Sequence, residues 1–350
     1  MKARLVGLFL SLSMAWTALG HASAWDEFKA DFISADGRVI DRMNDDISHS
    51  EGQGYAMLLA VAHHDRPAFE TIWRWTKSNL QVRGIDLLLA WKWGQRNAQE
   101  WGIVDLNNAT DGDLLTAWAL LLAGQVWGNP QWSAEAQALA GQILDRLQVR
   151  RQELNLLLPG FFGFEHNDGF VLNPSYMVFP AWQAFALAWP DQRQQWNDLL
   201  NSGLTVLDRI AFSSLGLPPD WAVLRDGHPE VDAVRSPWFG YDAIRVPLYL
   251  ALAGEKDKLH AYTPFLELID RVGYLPRHVD LTRSTIHLES GPAGFWAVMA
   301  RAADVLGRDA QAKQLQQKAV EMARHEKNDY YSRVLVLLAA MDISATGAQP

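Results

Sequence analysis

Residues 111–126 read DGDLLTAWALLLAGQV, with two acidic residues at the start and no charged residue after them. Apolar side chains fall on every side of a helix drawn through this run, and a helix that is apolar all round is buried. The runs 51–62 and 242–253 have the same form, because each opens on an acid and continues with few charges. The first turn of a buried helix points into the space above it, so the three leading acids are predicted to face one cleft.

Segments of two kinds alternate along the chain, and their alternation predicts the fold. Amphipathic, charged segments are predicted as outer helices at about 25–34, 67–81, 133–149, 191–210, 257–271 and 307–326. Segments that are apolar nearly all round are predicted as inner helices at about 51–64, 111–127, 176–189, 243–253, 291–304 and 329–341. Six alternations indicate an all-α fold, an (α/α)6 barrel with six inner and six outer helices, although no residue-level repeat accompanies them. Residues 169–172 are one candidate for a short strand.

Two prolines refine where the inner helices begin. Pro180 and Pro247 lie early in apolar runs, and proline is tolerated in the first turn of a helix but not in its middle. These helices are therefore predicted to begin near Val178 and Ile244. Residues just before those positions, Asp242 among them, would then lie at the mouth of the barrel.

Loops that enter the inner helices would share one end of such a barrel. Glu51, Asp111, Tyr176, Asp242 and Gly291 are predicted to meet there. Acid–base cleavage of a glycosidic bond requires at least a pair of carboxyl groups in a cleft. The chain also has 16 tryptophans against 8 tyrosines, and flat aromatic faces of this kind can stack on sugar rings.

Glu51 also has a purely structural interpretation. The sequence Ser48-His-Ser-Glu51 fits a capping box, in which the glutamate accepts from a backbone N–H. Two glycines at 52 and 54 favour a close approach instead, because glycine destabilises a helix. As a general acid near neutral pH, Glu51 would need burial or a neighbouring carboxylate to raise its pKa, and Asp111 is the neighbour we expect.

The two aspartates have structural alternatives as well. Asp111 and Asp113 could simply complement the helix dipole behind an N-cap at Thr110, with Asp113 the more structural of the two. Asp242 could form only a helix ion pair with Arg245, three residues on. The same arginine would keep a general base ionised, so both interpretations of Asp242 stay open.

Aromatic and polar clusters supply candidate sugar contacts. Trp91 and Trp93, with Trp101 nearby, form either core or a sugar platform. The segment Asn173-Pro-Ser-Tyr176 forms either a turn or a substrate contact.

Composition excludes several other classes. The chain has a formal net charge of −9, which becomes −11 without Lys2 and Arg4, so nucleic acid and anionic membranes are not predicted as partners. It has no cysteine, no His-Glu-x-x-His, no Gly-x-Ser-x-Gly and no complete dinucleotide motif, so neither a metal nor a cofactor is predicted.

The ends of the chain have their own signals. Residues 1–24 have a basic start, an apolar stretch and the small-x-small sequence Ala22-Ser-Ala24, which predict a secretory signal peptide. Residues 25–342 are predicted as one domain, with a loose tail at 343–350. No later segment is predicted to cross a membrane, and an exported, periplasmic location follows from the signal.

Five segments resemble glycoside hydrolase family 8, and the resemblance extends over nearly all of the chain after residue 24. They are Ser-Glu51-Gly-Gln-Gly-Tyr55-Ala-Met, Ala-Trp91-Lys-Trp93-Gly, Ala-Thr-Asp111-Gly-Asp113, Asn-Pro-Ser-Tyr176 and Tyr241-Asp242-Ala-Ile-Arg245. The resemblance implies an (α/α)6 barrel, an inverting mechanism and an endo-β-1,4-glucanase acting on a β-1,4-glucan chain. It also implies a partner, a bacterial cellulose synthase or export complex.

The resemblance implies roles for individual residues. Glu51 would be the general acid, Asp242 the base that activates water, and Asp111 a third catalytic acid whose role stays open. The substrate contacts expected along the groove are Tyr55, Trp91, Trp93, Trp101, Tyr176, Tyr241 and Arg245. Two alternatives remain: the same machinery acting on xylan or chitosan, and a non-catalytic glucan-binding subunit of an export complex.

Overall fold

The protein is described here from a computed structural model that covers residues 23–151, 153–167 and 169–342. The predicted signal peptide, apart from its last two residues, and the predicted tail at 343–350 lie outside the described residues. No described helix has the length and apolarity that a membrane span requires.

Thirteen α-helices lie in the described part of the chain. They are α1 Ala24–Phe32, α2 Ser50–Ala62, α3 Arg66–Asn79, α4 Thr110–Val126, α5 Pro130–Leu147, α6 Phe179–Ala188, α7 Arg193–Arg209, α8 Arg245–Leu252, α9 Lys256–Leu259, α10 Thr263–Val272, α11 Ala293–Val305, α12 Asp309–Ala323 and α13 Tyr330–Ala339. All six predicted inner helices are present, and α6 and α8 follow Val178 and Ile244 as N-caps, as the prolines predict.

One predicted outer helix is divided. The segment predicted as 257–271 forms α9, a 3₁₀ turn at His260–Tyr262 and then α10, in which Pro264 occupies the first turn. Proline lacks a backbone N–H and its ring clashes with the preceding turn, so a continuous helix through this position is disfavoured.

Contacts between helices follow a cycle. In chain order, α2 contacts α4, α4 contacts α6, α6 contacts α8, α8 contacts α11, α11 contacts α13, and α13 contacts α2. The first five of these helices also contact the outer helix that follows each in the chain, α3, α5, α7, α9 and α12, and α13 contacts α1 from the start of the described chain.

The inner helices carry the core. Every residue from Thr110 to Gly124 in α4 is buried, as the apolar run predicts. Each fully buried leucine or phenylalanine contributes about 1.5–3 kcal/mol relative to an exposed position. Because the chain has no cysteine, this burial must supply the stability that disulfides give to many exported proteins.

The all-α expectation needs a correction, because twelve short strands occupy the loops of the described part of the chain. They are β1 Ser48–His49, β2 Lys92–Asn97, β3 Glu100–Asp105, β4 Gln148–Arg151, β5 Leu154–Leu157, β6 Glu165–His166, β7 Gly169–Leu172, β8 Ala222–Arg225, β9 His228–Val231, β10 Trp238–Phe239, β11 Val279–Asp280 and β12 Thr285–Ile286. Only β7 was predicted. The others are two to six residues long and mostly lack the alternation of apolar and polar residues that marks a strand.

These strands form four antiparallel sheets, in the orders β1-β2-β3, β4-β5, β6-β7-β8-β9 and β10-β11-β12. Two of the sheets position the loops above the inner helices. The pairing of Ser48 with Trp93 places β2 beside the start of α2. Strand β10 ends three residues before Asp242, at the entry to α8.

Candidate active site

Glycines bring the first turns of α2 and α4 into close contact. A Cβ atom added to Gly112 would lie 2.1 Å from Ser50 Oγ and 2.7 Å from the Glu51 amide nitrogen. A Cβ atom on Gly54 would lie 2.7 Å from Leu115 Cβ. The close approach that the glycines suggest is therefore the packing of one inner helix on another, and it sets Glu51 beside Asp111.

One arginine joins the three predicted acids. Arg245 Nη1 donates to Glu51 and, at 3.0 Å, to Asp111, while its Nη2 donates to Asp242 at 2.6 Å. The guanidinium group is only 2% exposed. Acids from the starts of α2 and α4 and from the entry to α8 thus converge at one point.

A cavity of about 200 Å³ opens above this cluster. Glu51, Asp111, Trp91, Tyr176 and His49 are among the residues that line it. The side chains of Glu51 and Asp242 are 16% and 34% exposed, whereas that of Asp111 is 1% exposed. Glu51 and Asp242 are therefore the more accessible acids of the cluster, and Asp111 is nearly inaccessible although it contributes to the cavity wall.

The pKa values of Glu51 and Asp111 are shifted in opposite directions. Burial and the neighbouring charge of Glu51 raise the pKa of Asp111 well above its usual range. Burial would also raise the pKa of Glu51, but the charge of Arg245 and a hydrogen bond with Asp111 bring that pKa below its ordinary value. These opposite shifts favour a proton on Asp111 over one on Glu51, whereas the sequence led us to expect the raised pKa on Glu51.

Asp242 lies in a different environment on the other side of Arg245. Burial raises its pKa, and the charge of Arg245 opposes that shift. The amide of Asn173 faces the Asp242 carboxylate. Asn173 Oδ1 accepts from the backbone N–H and the hydroxyl of Ser175, at 3.0 and 2.6 Å, so its Nδ2 is the end left to face the acid.

The capping-box interpretation of Glu51 is wrong. Helix α2 begins at Ser50, and its N-cap is His49, whose Nδ1 accepts from the Gly52 amide at 3.0 Å. Ser48 lies in β1, where its hydroxyl donates to the Val39 carbonyl. Glu51 is thus left to face Arg245 and the cavity.

Thr110 is not an N-cap either, because it is the first residue of α4 and its hydroxyl donates to Leu158 O at 2.5 Å. The structural interpretation of Asp113 is confirmed. Its carboxylate accepts from the Leu89 amide at 2.7 Å and from Asn108 Nδ2 at 2.8 Å. Burial raises the pKa of Asp113 to about 7.

A sequence model described as glycosyl hydrolases family 8 matches residues 2–343. The chain belongs to this family. An endoglucanase of Cellulomonas uda is 41% identical over 230 residues, which are 65% of this chain and 63% of that protein. A probable endoglucanase of Novacetimonas hansenii is 35% identical over 322 residues, covering 91% of this chain and 89% of that protein. The solved structure of the endo-β-1,4-glucanase CMCax from Acetobacter xylinum matches with a TM-score of 0.81 at 33% identity, covering 93% of this chain and 98% of that one. The protein is therefore a glycoside hydrolase.

Two predicted sugar contacts in this family 8 hydrolase are buried. Tyr55 is 0% exposed, and its hydroxyl lies 2.7 Å from that of Tyr249 and 3.3 Å from Arg245 Nη1. Both residues are buried in this structure: Arg245 binds the three acids, and the Tyr55 hydroxyl accepts from Arg245. Tyr176 lies closer to the cavity, with Arg245 Cζ 5.8 Å from the centre of its ring.

The predicted aromatic contacts on the loops are divided between the cavity and the surface beside it. Trp91 lines the cavity. Trp93 and Trp101 stack on each other with ring centres 5.5 Å apart, and the Arg38 guanidinium lies over both rings. Tyr241 is half exposed, and its carbonyl accepts from the Tyr331 hydroxyl at 2.6 Å. Sugar binding by these aromatic residues stays a prediction.

Asp220 is the site residue that sequence reasoning missed. It is buried and lies in the loop before β8, with hydrogen bonds to the turn that carries Asp242. It opens no apolar run, and its partners lie 16 to 23 residues later in another loop. The only sequence signal was an acid in an otherwise apolar stretch, Leu217-Pro-Pro-Asp-Trp-Ala222.

Among the described residues, no group of three or more histidine, aspartate or glutamate side chains is arranged to hold a metal ion. Catalysis without a metal stays a prediction.

Proposed function

We propose that this family 8 hydrolase is an endo-β-1,4-glucanase that cuts internal bonds of cellulose with inversion at the anomeric carbon. The observation that carries the proposal is the convergence of Glu51, Asp111 and Asp242 on Arg245 beneath an open cavity. The relatives named as endoglucanases, at 33 to 41% identity, support the substrate.

The proposed acid is Glu51. One positive charge cannot balance three buried carboxylates, so the cluster retains a proton near neutral pH. The raised pKa of Asp111 favours the proton there, but of these two cavity-lining acids Glu51 is the more exposed, at 16% against 1%. Glu51 is therefore the group that passes the proton to the leaving glycosidic oxygen, and Asp111 is the group that supplies it.

The proposed base is Asp242. The charge of Arg245 opposes protonation of Asp242, which favours the carboxylate that a base requires. This carboxylate removes a proton from water as the water oxygen bonds to the anomeric carbon and the glycosidic bond breaks. Inversion needs the water and the acid on opposite faces of the sugar ring, with the two carboxyl groups about 6.5–9.5 Å apart.

The proposed architecture is the (α/α)6 barrel. The closed cycle of contacts among α2, α4, α6, α8, α11 and α13, with an outer helix against each, supports it. One domain at 25–342 accounts for the single large core that these helices share.

Export is the second part of the proposal. The signal peptide at 1–24 would place the enzyme in the periplasm, where a β-1,4-glucan chain and a cellulose synthase or export complex are its proposed partners. N-terminal sequencing of protein purified from the periplasmic fraction should read Trp25-Asp-Glu. A mature chain that starts at Met1, or one that stays in the cytoplasm, would contradict export.

Incubation with carboxymethylcellulose tests the reaction. Internal cutting should lower the viscosity rapidly while few new reducing ends appear, and the released anomers should be of the α form. Parallel incubations with xylan and with chitosan, followed by the same measurements, show whether either alternative polymer is the substrate instead of glucan. Binding of glucan without any new reducing ends would instead support a non-catalytic subunit.

A further inference from the structure

Asp220 is a buried carboxylate whose oxygens are both occupied by hydrogen bonds. Its Oδ1 accepts from the amides of Gly240, Asp242 and Ala243 at 2.9, 3.1 and 2.8 Å. Its Oδ2 accepts from the Ser236 hydroxyl at 2.8 Å. The side chain contributes nothing to the cavity wall, so its function must act through the groups that it holds.

The held amides lie at the entry to α8. The first N–H groups of a helix have no partner inside it and need an acceptor from elsewhere. The N-cap of α8 is Ile244, which makes no side-chain hydrogen bond to the helix. The first N–H groups of α8, those of Arg245 and Val246, donate to the carbonyls of Asp242 and Ala243 at 3.1 and 3.0 Å. Asp220 in turn accepts from the amides of this preceding turn, from a loop some twenty residues earlier in the chain.

We propose that Asp220 is a positioning residue for Asp242, because its carboxylate fixes the turn 240–243 and so the direction in which the Asp242 carboxylate points. The inference rests on the proposed role of Asp242 as the base. The turn has little freedom on this side, because a Cβ atom on Gly240 would lie only 3.0 Å from Asp220 Oδ2. The carboxylate of Asp242 is held separately by Arg245, so the backbone and the side chain of Asp242 are fixed by different residues.

Asp220 also acts on Asp242 by charge. Burial and the charge of Asp242 raise the pKa of Asp220 to about 6, while hydrogen bonds from the Ala243 and Gly240 amides and from Ser236 oppose that rise. Interaction between two charges is reciprocal, so an ionised Asp220 makes Asp242 easier to protonate. Arg245 and Glu51 also face Asp242, and they are unchanged in Asp220 variants.

Two substitutions at Asp220 test the inference on the full chain. Asp220→Ala removes all four hydrogen bonds, and Asp220→Asn keeps the volume and one acceptor oxygen while removing the charge. We expect kcat of the alanine variant on a soluble glucan to fall about 10–100-fold, since small misplacements of a catalytic group cost about 10²-fold. KM should change by less than about threefold, because Asp220 does not touch the cavity. For Asp220→Asn, the acid limb of kcat/KM should move to lower pH.

Two control variants isolate the cause. Ser236→Ala leaves the three amide bonds intact, and its kcat should stay within about threefold of wild type. Asp65→Ala removes a half-buried capping carboxylate, the N-cap of α3, which accepts from the Ala68 amide beyond the far end of α2. It should lower stability without moving kcat or the acid limb.

The outcomes distinguish failure of the positioning role of Asp220 from failure of the proposed function. A wild-type kcat and an unmoved acid limb in both Asp220 variants would overturn the positioning role. Failure of both variants to fold would also overturn the positioning role, since Asp220 would then be needed for the fold rather than for the orientation of the Asp242 side chain. The variant Asp242→Asn tests the proposed function itself: full activity there would reject Asp242 as the base, whatever Asp220 does.

Discussion

Five acids near the entries to α2, α4 and α8 fall into two groups. The Arg-facing acids are Glu51, Asp111 and Asp242, which share the guanidinium of Arg245. The amide-held acids are Asp113 and Asp220, whose oxygens accept from backbone and side-chain N–H or O–H groups. Glu51 and Asp111, in the first group, line the cavity, whereas neither amide-held acid does.

The two groups differ in what they can do: the Arg-facing acids are suited to acid–base chemistry, and the amide-held acids are suited to holding neighbouring chain in place. An amide-held carboxylate has its lone pairs occupied and its geometry fixed, which suits a residue that holds neighbouring chain in place. The Arg-facing acids share one cation, so they compete for its charge and keep a proton among them. Groups of this kind have pKa values that differ widely within a few ångströms, as acid–base catalysis requires.

Glu51→Gln is expected to have the largest effect. Glutamine keeps the shape of the side chain but cannot supply a proton, and general acid catalysis contributes about 10²–10⁴-fold. We expect kcat on a soluble glucan to fall by that factor, while the Kd of a cello-oligosaccharide, measured by calorimetry, stays near wild type. Turnover within a few-fold of wild type would reject Glu51 as the acid.

The sequence predicted the Arg-facing acids because each one opens an apolar run, and a buried helix fixes where its first turn points. It did not predict that Arg245 would bridge all three, since only Asp242 is its neighbour along the chain. Residue types also misled at two helix starts: Ser48 resembled a cap where His49 is the cap, and Thr110 resembled a cap but is the first residue of α4.

The loop residues and strands that hold the site in place were harder to predict from the sequence. Asp220 joins segments that no periodic pattern links, and most of the strands are too short to show alternation. The break at Pro264 was readable in principle, because a proline inside an amphipathic run ends or divides a helix.

Arg245→Met tests whether one cation holds the Arg-facing acids together. Removal of one partner from a buried ion pair costs about 3–5 kcal/mol, because the remaining charges lose their compensation. Without the guanidinium, the folded-state pKa values of these acids rise above their unfolded values. Their stabilising contribution is then present at low pH and lost as pH rises. Urea denaturation should therefore show a larger loss of stability at pH 8 than at pH 5.

The matched control for this variant is Arg245→Lys. Lysine keeps the charge but lacks the planar fork that reaches several carboxylates at once. It should restore part of the stability and little of the turnover. Equal loss of stability at both pH values in the methionine variant would show that lost packing, rather than lost charge, is responsible.

Asp113→Asn probes the amide-held acids and should affect turnover least. The folded-state pKa of Asp113 is about 7 against an ordinary value of 3.8, so this group stabilises the fold fully below pH 4 and loses that contribution as pH rises through 7. Three pKa units correspond to roughly 4 kcal/mol. The free energy of unfolding should therefore fall less between pH 4 and 8 in the variant than in wild type, with kcat within a few-fold. A large loss of kcat, with the pH dependence of the free energy of unfolding unchanged from wild type, would place Asp113 among the Arg-facing acids. Asp113 would then exchange protons with the reaction and would not determine how the stability of the fold responds to pH.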